Sequence, residues 1–102
     1  MKYHNQKTRV AGRLFASKRE ARRYSELRLL VKAGEVFDLE CQPVITCKVN
    51  GQRVCNYIAD FRYRARKSIA DTYEDVKGFK TPVYRLKKKL VKACTGIEII
   101  EI

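Results

Sequence analysis

The chain has 102 residues, 45% of them apolar, with 23 Lys plus Arg against 11 Asp plus Glu and a net charge of +12. That length suits one domain with a modest core, and that apolar fraction argues against wholesale disorder. No apolar run approaches the roughly 18 residues of a bilayer-spanning helix, and the polar, basic start from Met1 to Arg13 lacks the apolar stretch of a secretory leader.

The expectation is one soluble, cytoplasmic domain spanning 1–102. The charge directs it toward polyanions, of which nucleic acid is the commonest. A membrane surface would call for a helix with exposed apolar side chains opposite its charges. The helices here are needed for the core, so no membrane partner is expected.

Residues 1–14 read as a basic N-terminal lead-in. Ser17 then opens a helix, because Ser17 to Glu20 has the spacing of a capping box. Tyr24, Leu27 and Val31 follow at helical spacing and Gly34 stops it, which predicts a helix over 17–33. Val36 to Leu39 and Cys41 to Val49 are strand-like, with Pro43 marking a late start or a sheet edge. Asn50-Gly51 is a strong hairpin signal. A second strand is predicted over about 53–64 and, after a looser turn over 66–70, a third over 71–77.

Residues 78–80 form a loop. Thr81-Pro82 places an N-cap before a proline at the first helical position. Tyr84, Leu86, Leu90 and Val91 carry that helix to about Cys94, and Gly96 ends it. Ile97 to Ile102 is a final strand. The order is αβββαβ, an α/β (α+β) domain whose central mixed sheet is flanked by helices.

Cys41, Cys47, Cys55 and Cys94 include no CxxC pair, and the one histidine, His4, stands in the lead-in. Zinc sites use close Cys/His pairs, so no zinc is expected. Cys41 and Cys47 share parity with Ile45 and Val49 and read as small buried hydrophobes.

The acids on the strands are the informative residues. Tyr57-Ile58-Ala59-Asp60-Phe61-Arg62-Tyr63 carries Asp60 inside an apolar run. Tyr73-Glu74-Asp75-Val76-Lys77-Gly78 carries an acid and a lysine two apart, which on a strand share a face. With Asp60 on the neighbouring strand, two carboxylates and one ammonium converge. Such a set can hold a hard divalent cation and leave a lysine beside a water, as metal-assisted phosphodiester hydrolysis requires. The plain readings are an Asp60–Arg62 ion pair and a surface Asp75–Lys77 pair. Glu74 replaces Asp75 as the inward acid if the strand bulges. Glu20 has two competing roles, helix cap or a further acid directed at the sheet.

Lys18, Arg19, Arg22 and Arg23 on the first helix, with Arg85, Lys87, Lys88, Lys89 and Lys92 on the second, form basic sets suited to tracking phosphates. Such contacts position a duplex without reading bases. The plain reading is two solvated faces.

Together these residues resemble the PD-(D/E)XK nuclease superfamily: an acid in the first helix (Glu20), Asp60 on the second strand and Asp75-Val76-Lys77 on the third. More narrowly, Phe15-Ala16-Ser17-Lys18-Arg19-Glu20, Gly34-Glu35-Val36, Leu39-Glu40-Cys41-Gln42-Pro43, Tyr57-Ile58-Ala59-Asp60-Phe61 and Glu74-Asp75-Val76-Lys77-Gly78 are similar to small phage and prophage endonuclease-like proteins. The likeness covers about 12–102. The superfamily's proline before its first Asp is Ala59 here.

The resemblance implies a restriction-endonuclease-like core and a Mg²⁺-dependent DNA nuclease, with Mn²⁺ able to substitute. It implies Asp60, Asp75 and the Val76 carbonyl as metal ligands, Glu20 as a further ligand, and Lys77 at the attacking water. Gln42 matches a recurrent Gln-Pro without a role. Branched DNA such as a Holliday junction, cut by a homodimer in phage recombination within a bacterial host, is the expected substrate. A nicking or general endonuclease is the near alternative. A non-catalytic, small basic nucleic-acid-binding protein is the alternative of another class.

Overall fold

The computed structural model describes residues 7–78 and 80–102. His4 and Phe79, the latter in the expected 78–80 loop, lie outside the described residues. The elements are β1 (Thr8–Val10), β2 (Arg13–Phe15), α1 (Lys18–Lys32), β3 (Val36–Cys41), β4 (Val44–Val49), β5 (Gln52–Ile58), β6 (Phe61–Ala65), β7 (Asp71–Asp75), α2 (Pro82–Thr95) and β8 (Ile99–Glu101).

A four-stranded mixed sheet runs β3-β6-β7-β8. Its first two pairings are antiparallel and β7–β8 is parallel. Parallel neighbours need a long crossover, and α2 supplies it. The architecture is mixed α+β, and the expected αβββαβ order is present as α1, β3, β6, β7, α2, β8. Outside that sheet stand the β4–β5 hairpin, whose Asn50-Gly51 turn was expected within the series, and the β1–β2 hairpin.

Local chemistry sets the boundaries. Ser17 caps α1 by accepting the Glu20 N–H at 3.2 Å, and Thr81 caps α2 by accepting the Tyr84 N–H at 3.0 Å. Gly96 ends α2 in the left-handed region at φ 78°, which costs glycine little. Asn50 and Gly51 both take positive φ, 52° and 78°, the type I′ pattern that turns β4 into β5.

Four expectations are corrected. The basic lead-in contains the β1–β2 hairpin, turned by Ala11-Gly12 with φ 52° and 81°. An alanine in that region is unfavourable, so no turn signal stood in the sequence; Phe15, packed on Tyr24 and Phe61, holds the hairpin down. The 53–64 strand is two strands, broken at Ala59-Asp60 where the chain passes from the β4–β5 pair into the main sheet. The 71–77 strand ends at Asp75, so Val76 and Lys77 follow it as irregular chain. Val31 is exposed, and the buried residues of α1 are Ala21 and Leu27.

Apolar residues form two cores. Phe15, Ala21, Leu27 and Phe61 pack with Tyr24 and Tyr63 under α1. Ile45, Cys47, Tyr57, Ala59, Tyr84, Val91 and Ile99 pack with Tyr73 under α2 and the β4–β5 hairpin. Strand alternation sends Phe61 and Tyr63 to one face of the sheet and Tyr73 and Ile99 to the other, so the two helices cover opposite faces.

Candidate active site

The break between β5 and β6 positions Asp60. Here Ala59 N–H donates to the Pro43 carbonyl at 3.1 Å and Gln42 N–H donates to the Asp60 carbonyl at 2.9 Å. These bonds replace a continuous strand ladder. Asp60 N–H is shared between the Glu74 carbonyl at 3.0 Å and Asp75 Oδ1 at 2.9 Å. In return Val76 N–H donates to Asp60 Oδ2 at 2.7 Å. Each aspartate thus receives a backbone N–H from the other's segment, and the two carboxylates are clamped across β6 and β7.

Asp75 is fully buried, and its Oδ2 has no hydrogen-bond partner. Such an atom is rare and costly. Burial is the main cause that pushes the Asp75 carboxyl up to about 6, against the pull of Lys77 and of the Asp60 N–H. Burial also raises Asp60, opposed by the Val76 N–H and by Lys77.

Glu20 stands in the first turn of α1. Among the described residues no bond returns from its carboxylate to the Ser17 N–H, so only the serine half of the capping box forms. Glu20 instead lines a cavity of about 60 Å³ whose wall includes Arg13, Phe15, Cys41, Gln42 and Asp60. That volume admits water. Burial first, then the Asp60 charge, pushes Glu20 up to about 7, with Asp75 adding and Lys77 opposing. Gln42, held at φ 57°, is a strained residue on the same wall.

Lys77 lies past the end of β7, with Nζ 4.7 Å from the centroid of the Tyr84 ring. Its charge acts on Glu20, Asp60 and Asp75. Tyr84 and Glu101 were not singled out in the sequence. Tyr84 donates its hydroxyl to Glu101 Oε2 at 2.7 Å. That bond first, then one from Lys80, holds Glu101 down at about 2. Tyr84 carries only the helical spacing of a core residue, and nothing in the sequence signals its polar end.

Glu74 is a structural acid. It is buried on the α1 face, where Arg23 binds both its oxygens at 2.8 and 2.7 Å and the Tyr63 hydroxyl also donates. The Arg23 guanidinium is therefore already engaged, by Glu74 through the fork geometry of guanidinium and carboxylate and by Glu26. Arg19 is also engaged, donating to the Lys77 carbonyl at 3.4 Å and the Ile102 carbonyl at 3.1 Å. Lys88 lies 3.3 Å from Glu101 Oε2. Lys18, Arg22, Arg85 and Lys89 are exposed and make no ion pair among the described residues.

The structure therefore joins Asp60 to Asp75 and sets Glu20 and Lys77 within electrostatic reach. Among the described residues no group of three or more His, Cys, Asp or Glu side chains is gathered closely enough to hold a metal ion. The oxygen-only chemistry of the two clamped aspartates, with the orphaned Asp75 Oδ2, fits a hard divalent cation that keeps several waters.

No helix among the described residues is long and apolar enough to cross a membrane. No curated protein and no solved structure matches the chain. A family model does match, over residues 1–95, and the chain belongs to that family, described as a protein of unknown function (DUF1064).

Proposed function

We propose that this chain is a Mg²⁺-dependent DNA endonuclease of the PD-(D/E)XK superfamily, acting in the cytoplasm of a bacterial host on phage or prophage DNA. The observation that carries the reading is the Asp60–Asp75 clamp, with a buried oxygen of Asp75 left without a partner. A stabilising role alone leaves that oxygen unexplained, because an apolar residue would fill the same space at less cost.

In this reading Asp60, Asp75 and the Val76 carbonyl hold the cation, and Glu20 reaches it directly or through water. The bound ion supplies a water of lowered pKa and charge neutralisation at the phosphoryl group. Lys77 orients the attacking water and stabilises charge on the phosphate. The aromatic face of Tyr84 keeps the Lys77 ammonium beside the carboxylates. Backbone N–H donors to both aspartates hold the carboxylates in place before substrate arrives.

The exposed basic side chains support a substrate class. Exposed Lys18, Arg22, Arg85 and Lys89 suit phosphate contacts, and neither α1 nor α2 presents an Asn, Gln and Arg set for reading base edges. A structure-specific endonuclease on branched DNA, working as a homodimer with one cut per subunit, agrees with that surface.

The test is a panel of end-labelled DNA: four-way junction, nicked duplex and linear duplex, each with Mg²⁺, Mn²⁺ or EDTA. Cleavage of the branched substrate with metal alone is expected. Preference for nicked or linear duplex selects a nicking or general endonuclease. Binding without cleavage of any substrate selects the non-catalytic reading that the net charge of +12 also supports.

A further inference from the structure

Three of the four cysteines, Cys47, Cys55 and Cys94, belong to the same core. Cys47 on β4 and Cys55 on β5 are direct cross-strand partners, and Cys94 of α2 packs against the same core. Cys55 and Cys94 both bear on the Cys47 thiol, adding to burial in holding its proton. Opposed residues of an antiparallel pair have Cα atoms about 4.5–5.5 Å apart, inside the span a disulfide bridges. Cys41 lies in the other core, under α1.

From this juxtaposition we propose that Cys47 and Cys55 form a peroxide-responsive thiol–disulfide site. The two positions divide the labour. Cys55 is half-buried and reachable, whereas Cys47 is fully buried. Burial pushes the Cys47 thiol up to about 11, which makes it the second thiol to react rather than the first.

The Cys55 thiolate attacks one oxygen of hydrogen peroxide; an S–O bond forms, the O–O bond breaks, and the departing hydroxide takes a proton to become water. The sulfur of Cys47 then attacks the Cys55 sulfenic acid. The S–S bond forms, the S–O bond breaks, and the released hydroxide leaves as water with the Cys47 proton. Two thiols are oxidised and one peroxide is reduced to two waters.

A soft-metal site is the rival reading. It requires three thiolates among Ile45, Tyr57, Val91 and Ile99, where charge is expensive. A disulfide is neutral and suits that setting. No described group of three ligands is close enough to hold a metal.

The experiment treats the folded full chain with a small molar excess of hydrogen peroxide, alkylates free thiols, and locates cross-links by fragmenting linked tryptic peptides. The expected product is a Cys47–Cys55 disulfide with Cys41 still alkylated, and loss of that selectivity in urea. In Cys47→Ala, Cys55 is expected to stop at a sulfenic acid trapped by dimedone. In Cys55→Ala, which leaves the buried thiol in place, no Cys47 disulfide should form. A Cys47–Cys94 link, oxidation of Cys55 past the sulfenic stage with Cys47 free in the wild type, or a tightly held metal in native mass spectrometry would overturn the proposal. None of these readouts depends on the nuclease reading.

Discussion

Asp75 and Glu74 are adjacent acids, both almost fully buried, yet the structure uses them differently. Glu74 is saturated by Arg23 and Tyr63. Removing one partner of a buried pair leaves an uncompensated charge, so Glu74→Gln is expected to lower stability by about 3 kcal/mol in urea denaturation. It should leave cleavage of the folded protein within a few-fold of wild type.

Asp75→Asn should do the reverse. It keeps an oxygen for the Asp60 N–H, removes a costly charge, and leaves the melting temperature of the metal-free protein unchanged or higher. Cleavage with Mg²⁺ should fall by more than about 100-fold, beyond what losing an outer-shell partner costs. Normal turnover of this variant, or of Lys77→Ala, would remove the site. The sequence already offered both acids; parity on β7 and the pairing Phe61↔Glu74 sent them to opposite faces.

At the scale of elements, caps and turns were legible because they rest on local chemistry. Ser17, Thr81-Pro82, Asn50-Gly51 and Gly96 stand where the structure ends or turns an element. Thr81→Ala is expected to cost about 1 kcal/mol, read as a lower midpoint in a chemical melt with unchanged slope. A null effect would mean that α2 is held by packing of Tyr84 and Val91 alone.

The elements that went unread depend on partners distant in sequence. The β1–β2 hairpin turns on an unfavourable alanine and is held by Phe15 under Tyr24. The break at Ala59-Asp60 has no proline or glycine to mark it. It exists because β5 pairs with β4 while β6 pairs with β3 and β7. The Asp75–Lys77 argument from strand alternation fails for a separate reason: β7 ends at Asp75, so Lys77 acts on the carboxylates from irregular chain.

For the whole molecule, the acid cluster predicts the pH dependence of the metal-free protein. Glu20 is raised from 4.5 to about 7 and Asp75 from 3.8 to about 6. A carboxyl with a raised folded pKa binds its proton more tightly when folded, so its contribution is full below the unfolded value and is lost as pH rises through the folded one. The melting temperature in EDTA should therefore fall between pH 5 and pH 8. Glu101, held down at about 2, opposes this only at more acid pH. A flat or rising profile across pH 5–8 would contradict the burial of the cluster.

The basic surface makes a separate prediction. With Lys18, Arg22, Arg85 and Lys89 each neutralising one phosphate, the log–log salt slope for duplex binding should be about −3.6 per chain. Arg23→Gln should leave it unchanged, because its guanidinium already serves Glu74. A slope reduced by one charge in that variant would return Arg23 to the interface.

The sequence by itself determined the two capped helices, the mixed α+β class and the Asn50-Gly51 turn, because propensity and turn chemistry act over a few residues, and it offered Asp60, Asp75, Lys77 and Glu20 as candidates. Tertiary structure alone decided which acid is paired with an arginine, which arginines are already bound, and that Cys94 joins the core of the Cys47–Cys55 pair. Those outcomes depend on contacts between segments tens of residues apart, where burial and pairing geometry set the energy of each charge.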